Sequence, residues 1–256
     1  MKNLALKWKI AFKIFPIILI VGIFKLLSHY YNFELMELNA LFTSLVAGTI
    51  FLIGFLISGV LSDYKESEKL PTELVCSMRT LQDDTLTISK SKNSEAAKNF
   101  LEYQKELPRF IKKWLYKTES TSSLLAYISS INDHLVNLEK EEIQANYIIK
   151  MKNEQNQLRK TIMRMDTIRD TDFAVSAYAI VEAMAFLTSI GLIIIKIEPF
   201  LAAMFLTVLI TFLIWYMLFL IKDLDNPFDY VENGETGTEI SLKPLHDFIA
   251  EFKHSA

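Results

Sequence analysis

The chain has a single cysteine, Cys76, among its 256 residues. That excludes an intrachain disulfide framework and any multi-cysteine zinc site. Its four histidines, His29, His134, His246 and His254, stand far apart and follow no ligand spacing, so no metal centre is expected. Glycine is scarce, at 7, and so is proline, at 6. So few turn formers argue against a many-stranded β fold and for long helices. The net charge of −3 gives no reason to expect nucleic acid as a partner. Enzyme signatures are missing as well. The sequence has no nucleophile elbow, no phosphate-binding glycine loop, no His-Glu-x-x-His and no Cys/His cluster. Asp83 and Asp84 are adjacent and diverge by about 100° on a helix, so they do not form a catalytic carboxylate pair. No enzyme activity and no cofactor are expected. No cleavable signal peptide is expected either, because the first apolar segment lacks a small-residue cleavage motif and further spans follow it.

What the chain has is apolar surface. Apolar residues make up 51%, with 18 phenylalanines. Four segments are long enough to cross a bilayer, which takes about 20 residues at ~1.5 Å rise each. The first, Ile10 to Leu27, is interrupted by Lys13, Pro16 and Lys25, and both lysines are expected to snorkel to the headgroups. The second, Leu41 to Leu61, carries no charge. The third, Phe173 to Ile195, carries one acid, Glu182, and the fourth, Pro199 to Ile221, is uncharged. A short turn flanked by Lys196 and Glu198 makes the last two a helical hairpin.

Orientation follows from lysine and arginine counts. Lys2, Lys7, Lys9 and Lys13 precede or open the first span, and residues 62–172 hold 18 of the 27 basic residues. The loop from Ser28 to Ala40 has none and carries Glu34 and Glu37. Both termini are therefore expected in the cytoplasm and that loop outside. The resulting fold class is an all-α membrane protein. It comprises residues 1–61 with two spans, a cytoplasmic helical insert over 62–172, a transmembrane hairpin over 173–221 and a cytoplasmic tail over 222–256.

Within the insert, Ser94 reads as a helix N-cap before Phe100, Leu101, Leu107, Ile111 and Trp114, and Pro108 is expected to kink or break that helix. A longer apolar stripe runs from Leu124 through Ile128, Ile131, Leu135, Leu138, Ile143, Tyr147, Met151, Leu158 and Ile162 to Met165. Its length predicts packing along neighbouring helices or a partner chain. Ser89 to Asn93 and Lys117 to Ser120 read as loops.

The second span is the most informative segment. Ser44, Gly48, Phe51, Phe55, Ser58 and Ser62 share one helical face, small or polar at both ends and aromatic in the middle. Val46, Ile50, Ile53, Ile57 and Leu61 form an aliphatic face suited to lipid. Two readings of the first face stay open. One is a pore lining whose phenylalanines form a dewetting constriction. The other is close helix packing through Ser44/Gly48 and Gly54/Ser58. Glu182, about nine residues and roughly 14 Å into its span, has two readings as well. It is either an ion-pathway or proton-binding acid, or a structural group bonded to Tyr178, Ser176 or a neighbouring helix. The tail acids Asp223, Asp225, Asp229, Glu232, Glu235 and Glu239 lack EF-hand spacing and read as solvated surface.

Two stretches carry a family resemblance. Gly54-Phe55, followed by Ser62-Asp63-Tyr64-Lys65-Glu66-Ser67-Glu68-Lys69-Leu70-Pro71, resembles the bestrophins around their pore helix. After the last span, Asp223-Leu224-Asp225-Asn226-Pro227-Phe228-Asp229 and Ile240-Ser241-Leu242-Lys243-Pro244-Leu245 are similar to bacterial bestrophin-like membrane proteins. The order of spans, insert, hairpin and tail matches too. The resemblance implies a pentameric anion channel in the bacterial cytoplasmic membrane, with a narrow apolar neck. Aligned on Gly54-Phe55, the neck falls on Ala47, Phe51 and Phe55. The dense acidic run that follows Asn-Pro-Phe in calcium-gated members is missing here. The implied function is passive, anion-preferring conduction through a homo-oligomer. The alternative is a non-conducting membrane-anchored interaction protein acting through the stripe from Leu124 to Met165.

Overall fold

A computed structural model describes residues 8–170, 175–230 and 239–254. It contains ten helices among those residues: α1 (Lys9–Tyr30), α2 (Ala40–Ser67), α3 (Leu70–Lys92), α4 (Glu95–Leu115), α5 (Thr121–Ser129), α6 (Ile131–Lys140), α7 (Ala145–Asp170), α8 (Val175–Ile194), α9 (Phe200–Leu224) and α10 (Lys243–His254). The only strands among the described residues are two-residue segments, β1 (Met36–Glu37) and β2 (Ile195–Lys196), paired in parallel. Four helices, α1, α2, α8 and α9, are long and apolar enough to cross a bilayer. They match the four expected spans. The expected start of the third span at Phe173, the boundary at Asp172, and Lys2, Lys7, Glu232 and Glu235 lie outside the described residues.

Contacts divide the chain into two units, 1–64 with 172–225 and 65–171 with 226–256. In the first unit, α2 presents Ile53, Leu56 and Val60 to Tyr178, Val181 and Ala185 of α8 and to Ile214, Leu218 and Ile221 of α9. Phe42 packs with Leu192 and Ile195 nearer the β1–β2 bridge. Phe42, Thr49, Ile53, Leu56 and Val60 recur at alternating spacings of about a heptad half, which keeps them on one side of the helix. Ile53 is thus core, not part of a lipid face. Lipid tails offer no hydrophobic drive between helices, so polar bonds supplement this packing. Thr49 and Thr188 share a buried hydroxyl bond of 2.9 Å, and Trp215 Nε1 donates to Ser189 Oγ at 3.1 Å. Tyr178 donates to Asp225 Oδ2 at 2.9 Å.

Gly191 is required by a close approach of α8 to Phe42 in this unit. A Cβ there would sit 2.3 Å from Phe42 Cε2, and Phe42 is itself buried. Gly191→Ala is expected to destabilise the unit by about 1–3 kcal/mol, with Phe42→Leu restoring part of the loss. A thermal melt in detergent checks this, and an unchanged midpoint in Gly191→Ala would contradict the contact.

Lys25 does not snorkel. It is fully buried, and its ammonium donates to Glu34 Oε1 at 2.9 Å, to the Ile195 carbonyl, and to the Ile193 carbonyl at 3.5 Å. The snorkelling expectation failed because two of the three acceptors lie about 170 residues away, the Ile193 carbonyl in the last turn of α8 and the Ile195 carbonyl of β2, beside the Glu34 carboxylate. There they satisfy all three ammonium donors.

The second unit gathers α3 to α7 with α10. Ser94 caps α4 as expected, accepting from the Ala97 N–H at 2.9 Å. Pro108 does not break α4. Ala97 and Phe100 on one side of it and Ile111 and Trp114 on the other are all buried, and that anchoring outweighs one lost backbone bond. The loop expected from Ser89 is helix as far as Lys92, and only Asn93 leaves, with φ 47. The Lys117–Ser120 loop is present, with Lys117 at φ 59. The long stripe is folded into three helices rather than one. The chain turns at Ser130 and again between Lys140 and Ala145, where Glu142 takes φ 55 without a glycine to announce it. Leu124, Ile128, Ile131, Leu135, Leu138, Ile143, Met151, Leu158, Ile162 and Met165 are all buried within the unit, and only Tyr147 stays half-buried.

Candidate functional site

Packing fixes which way α2 faces. With Phe42, Thr49, Ile53, Leu56 and Val60 turned inward, the opposite face carries Ser44, Ala47, Phe51, Phe55 and Ser58, all exposed. Phe51 and Phe55 are 72% and 70% exposed, comparable with Phe12 of α1 at 73% and Phe205 of α9 at 65%. Among the described residues, nothing of the same chain covers these five positions of α2. The small residues on this helix do not serve close packing within the protomer. A Cβ at Gly54 would meet nothing within 4 Å, and one at the half-buried Gly48 would meet only Met184 Cε, at 4.0 Å. Among the described residues of the same chain, Gly54 has no partner helix and Gly48 meets α8 only through Met184, so neither makes a close small-residue contact. Of the expected lipid face, Ile50 and Leu61 are exposed, Val46 and Ile57 are half-buried and Ile53 is core.

The start of α2 is held locally. Asn39 Oδ1 accepts from the Phe42 N–H at 2.9 Å, an N-cap that satisfies one of the four orphan donors. Ser44 and Thr43 return their hydroxyl protons to the carbonyls of Ala40 (2.8 Å) and Asn39 (3.1 Å). Both hydroxyls thus present oxygen lone pairs outward without an unmet donor.

Glu182 of α8 is paired with Lys222 in the last turn of α9, and both side chains are about half exposed. Its partner is on a neighbouring helix. Tyr178, one of the candidates on its own helix, bonds Asp225 instead. The pair carries no net charge, and Lys222 at the α9 terminus also complements the helix dipole. The depth of about 14 Å counted from Phe173, which lies outside the described residues.

The Asn226-Pro227-Phe228 motif is an anchor. Pro227 and Phe228 are buried while Asn226 is exposed. The Pro227 carbonyl accepts from the Ile240 N–H at 3.1 Å, and the Tyr230 hydroxyl donates to the Ile240 carbonyl at 2.7 Å. Asp229 pairs with Lys117 at 2.6 Å. The acid that follows the motif is thereby engaged by a cation. Among the described residues no three His, Cys, Asp or Glu side chains converge on one point.

One cluster escaped the sequence reading. His29 lies one turn beyond Lys25 on α1, its Nδ1 is 3.2 Å from Glu34 Oε2, and its ring stacks on Phe200 of α9 at 3.9 Å between centroids. The signal available was faint: a lysine and a histidine at i, i+4 near the end of a span, followed by an acid in a loop without cations.

A family model for the Bestrophin-like domain matches residues 10–230. No curated protein matches the sequence. Solved structures match it closely in fold. One point mutant of a bacterial bestrophin homologue from Klebsiella pneumoniae has a TM-score of 0.77 at 16% identity, over 94% of this chain and 98% of that one. Another mutant of the homologue from the same organism has a TM-score of 0.74 at 18% identity, over 95% and 97%. A mutant described only as a membrane protein has a TM-score of 0.72 at 17% identity, over 96% of each chain.

Proposed function

This chain belongs to the Bestrophin-like family, and from that premise we propose that it is a passive, anion-preferring ion channel, assembled as a homo-oligomer of five copies around α2. The observation that carries the reading is the outward face of α2. Two phenylalanines one turn apart stand exposed between small and hydroxyl-bearing residues, on the side of the helix that the described residues of its own chain leave bare. In a ring of copies, Ala47, Phe51 and Phe55 form the neck. Ser44, Gly48 and Ser58 line the wider approaches on either side. An apolar constriction of this kind passes ions when wetted and blocks them when dry. Glu182 does not oppose anions, because Lys222 neutralises it.

The protein is an integral membrane protein by its four apolar helices and its family. We place it in a bacterial cytoplasmic membrane on its likeness to bacterial bestrophin homologues, and orient both termini and the 62–172 insert inside on the lysine and arginine asymmetry. The interaction-protein alternative rested on an apolar stripe free to bind a partner. Ten of the stripe's eleven residues are buried inside their own unit, so that argument loses its surface. The mass of the purified complex in nanodiscs, followed by planar-bilayer recording, tests the proposal. Five copies with an anion-selective current are expected. A monomer or dimer leaves no shared axis for α2 to line and would overturn it.

A further inference from the structure

One flank of α2 is open. Ile50, Ile53 and Gly54 of α2 and Leu213, Ile214 and Met217 of α9 line a groove of about 250 Å³, with no polar side chain in it. An apolar cavity of ~150 Å³ already admits a benzene ring, so this groove has room for a leucine or methionine side chain. It runs over Gly54, where a Cβ would meet nothing within 4 Å. By helical geometry Ile50 and Gly54 lie about 100° and about 60° to one side of Phe51.

The opposite flank carries a ridge. Gly48 lies about 60° to the other side of Phe51, and the side chain nearest it is Met184 of α8. On α8, Thr188 meets α2 through Thr49, and Ser189 meets α9 through Trp215. Leu187 lies about 100° from Thr188 in the sense opposite to Ser189, so it points away from α9. It shares a helical face with Ile180 and Met184, at i, i+4 and i+7, and Ile180 and Leu187 are 54% and 53% exposed. The depth of this ridge is fixed as well. α2 and α8 pack antiparallel, with Phe42 against Leu192, Thr49 bonded to Thr188, and Val60 in the cluster that holds Tyr178 and Val181. Leu187 therefore stands level with Ile50, and Met184 level with Ile53.

We infer that Leu187 of one copy, with Met184 beside it, seats in the α2–α9 groove of the next copy. In the ring proposed for α2, on which this docking depends, Phe51 faces the axis. Residues about 60–100° to either side of it then face the neighbouring copies and not lipid. Copies related by an axis along the membrane normal share their depth, so ridge and groove meet at one height. A groove on one flank and a ridge on the other make a heterologous contact, the kind that closes into a ring. Side-chain packing of this kind holds helices together where lipid gives no hydrophobic drive. The groove borders Phe51 and Phe55, so the contact also sets how closely the neck helices approach one another.

Cysteine pairs in the full-length protein test the docking, with the native thiol removed by Cys76→Ser. Gly54→Cys and Leu187→Cys lie on opposite flanks of one chain, and a disulfide between them joins two copies. Oxidation with copper phenanthroline in nanodiscs is expected to give a ladder of linked species, from the dimer up to the full ring. The ladder is expected to vanish when Leu187→Cys is exchanged for Leu201→Cys, an 81% exposed position at the start of α9. A complex of ring mass without the ladder would overturn the docking and leave the ring standing. The same ladder from Leu201→Cys would show collision in place of contact and overturn the docking too. An unmodified protein that is monomeric overturns both. Gly54→Leu gives a second measurement, independent of cysteine. Its side chain enters space that its own chain leaves open, so the thermal midpoint is expected to hold while the complex falls apart to monomers. Retained assembly in Gly54→Leu would overturn the docking and assign the groove to a lipid tail.

Discussion

Replacing Phe51 and Phe55 together by alanine is expected to raise single-channel conductance about tenfold, equivalent to ~1.4 kcal/mol off the permeation barrier. The reason is the position of the two rings. Both stand more than two-thirds exposed on the uncovered face of α2, so truncating them removes no contact from the protomer core. The fold should therefore survive, and the mutant should assemble at the same mass. In the proposed ring, the side chains removed would be those that keep the neck dry. On that proposal Ala47 would give the neck one small level, leaving the two phenylalanine levels to carry the barrier. Single mutants should fall in between, because either ring of aromatics alone still forms a dry plug. The measurement is unitary current under symmetric salt. An unchanged conductance in a protein that does conduct would move the neck away from these residues. A protein that no longer assembles would show that the phenylalanines pack against a neighbouring copy instead.

Lys25→Met carries the second large effect. It is expected to destabilise the protein by about 3–5 kcal/mol, the usual consequence of leaving one partner of a buried ion pair alone. Glu34 would remain largely buried without its cation, and the Ile193 and Ile195 carbonyls would lose their donor. Lys25→Met combined with Glu34→Leu should recover much of the loss, since a buried pair replaced as a whole by apolar groups is often close to neutral. Recovery should be incomplete because the two carbonyls remain unserved. Denaturant titration of the detergent-solubilised protein gives the comparison. Equal stability of Lys25→Met and the unmodified protein would show that the ammonium is not held as described.

Much of this architecture was legible in the chain, for identifiable reasons. Spans of about 20 apolar residues announce themselves because a bilayer leaves no other way to satisfy their backbone. The face of α2 could be read because helical periodicity sorts Ser44, Phe51, Phe55 and Ser58 from the rest without knowledge of any neighbour. Which side of that helix packs inward could not be read so easily. Ile53 is as aliphatic as Ile50, and only the positions of α8 and α9 make one core and leave the other exposed. The turns that divide the long stripe were hidden for a different reason. They use Ser130 and Glu142, residues with no strong breaker signature. Lys25 was misread because its partners, Glu34 and the carbonyls of Ile193 and Ile195, lie nine to 170 positions away. Pairings across that distance leave no periodic trace.

The second unit is closed by residues from the far end of the chain. Ile240, Leu242, Leu245 and Phe248 are buried in it, and α10 packs on α3 and α4. During synthesis, α7 is complete at Asp170, yet Phe248 follows only 78 residues later (248 − 170). At ribosomal speeds that is a delay of roughly 4–16 s. Throughout it, the last two spans must thread into the bilayer while the surfaces of α3 and α4 that will receive α10 stay uncovered. A nascent chain in that interval exposes apolar surface and is open to aggregation. Docking of α10, not insertion of the last span, is then the event that closes the second unit.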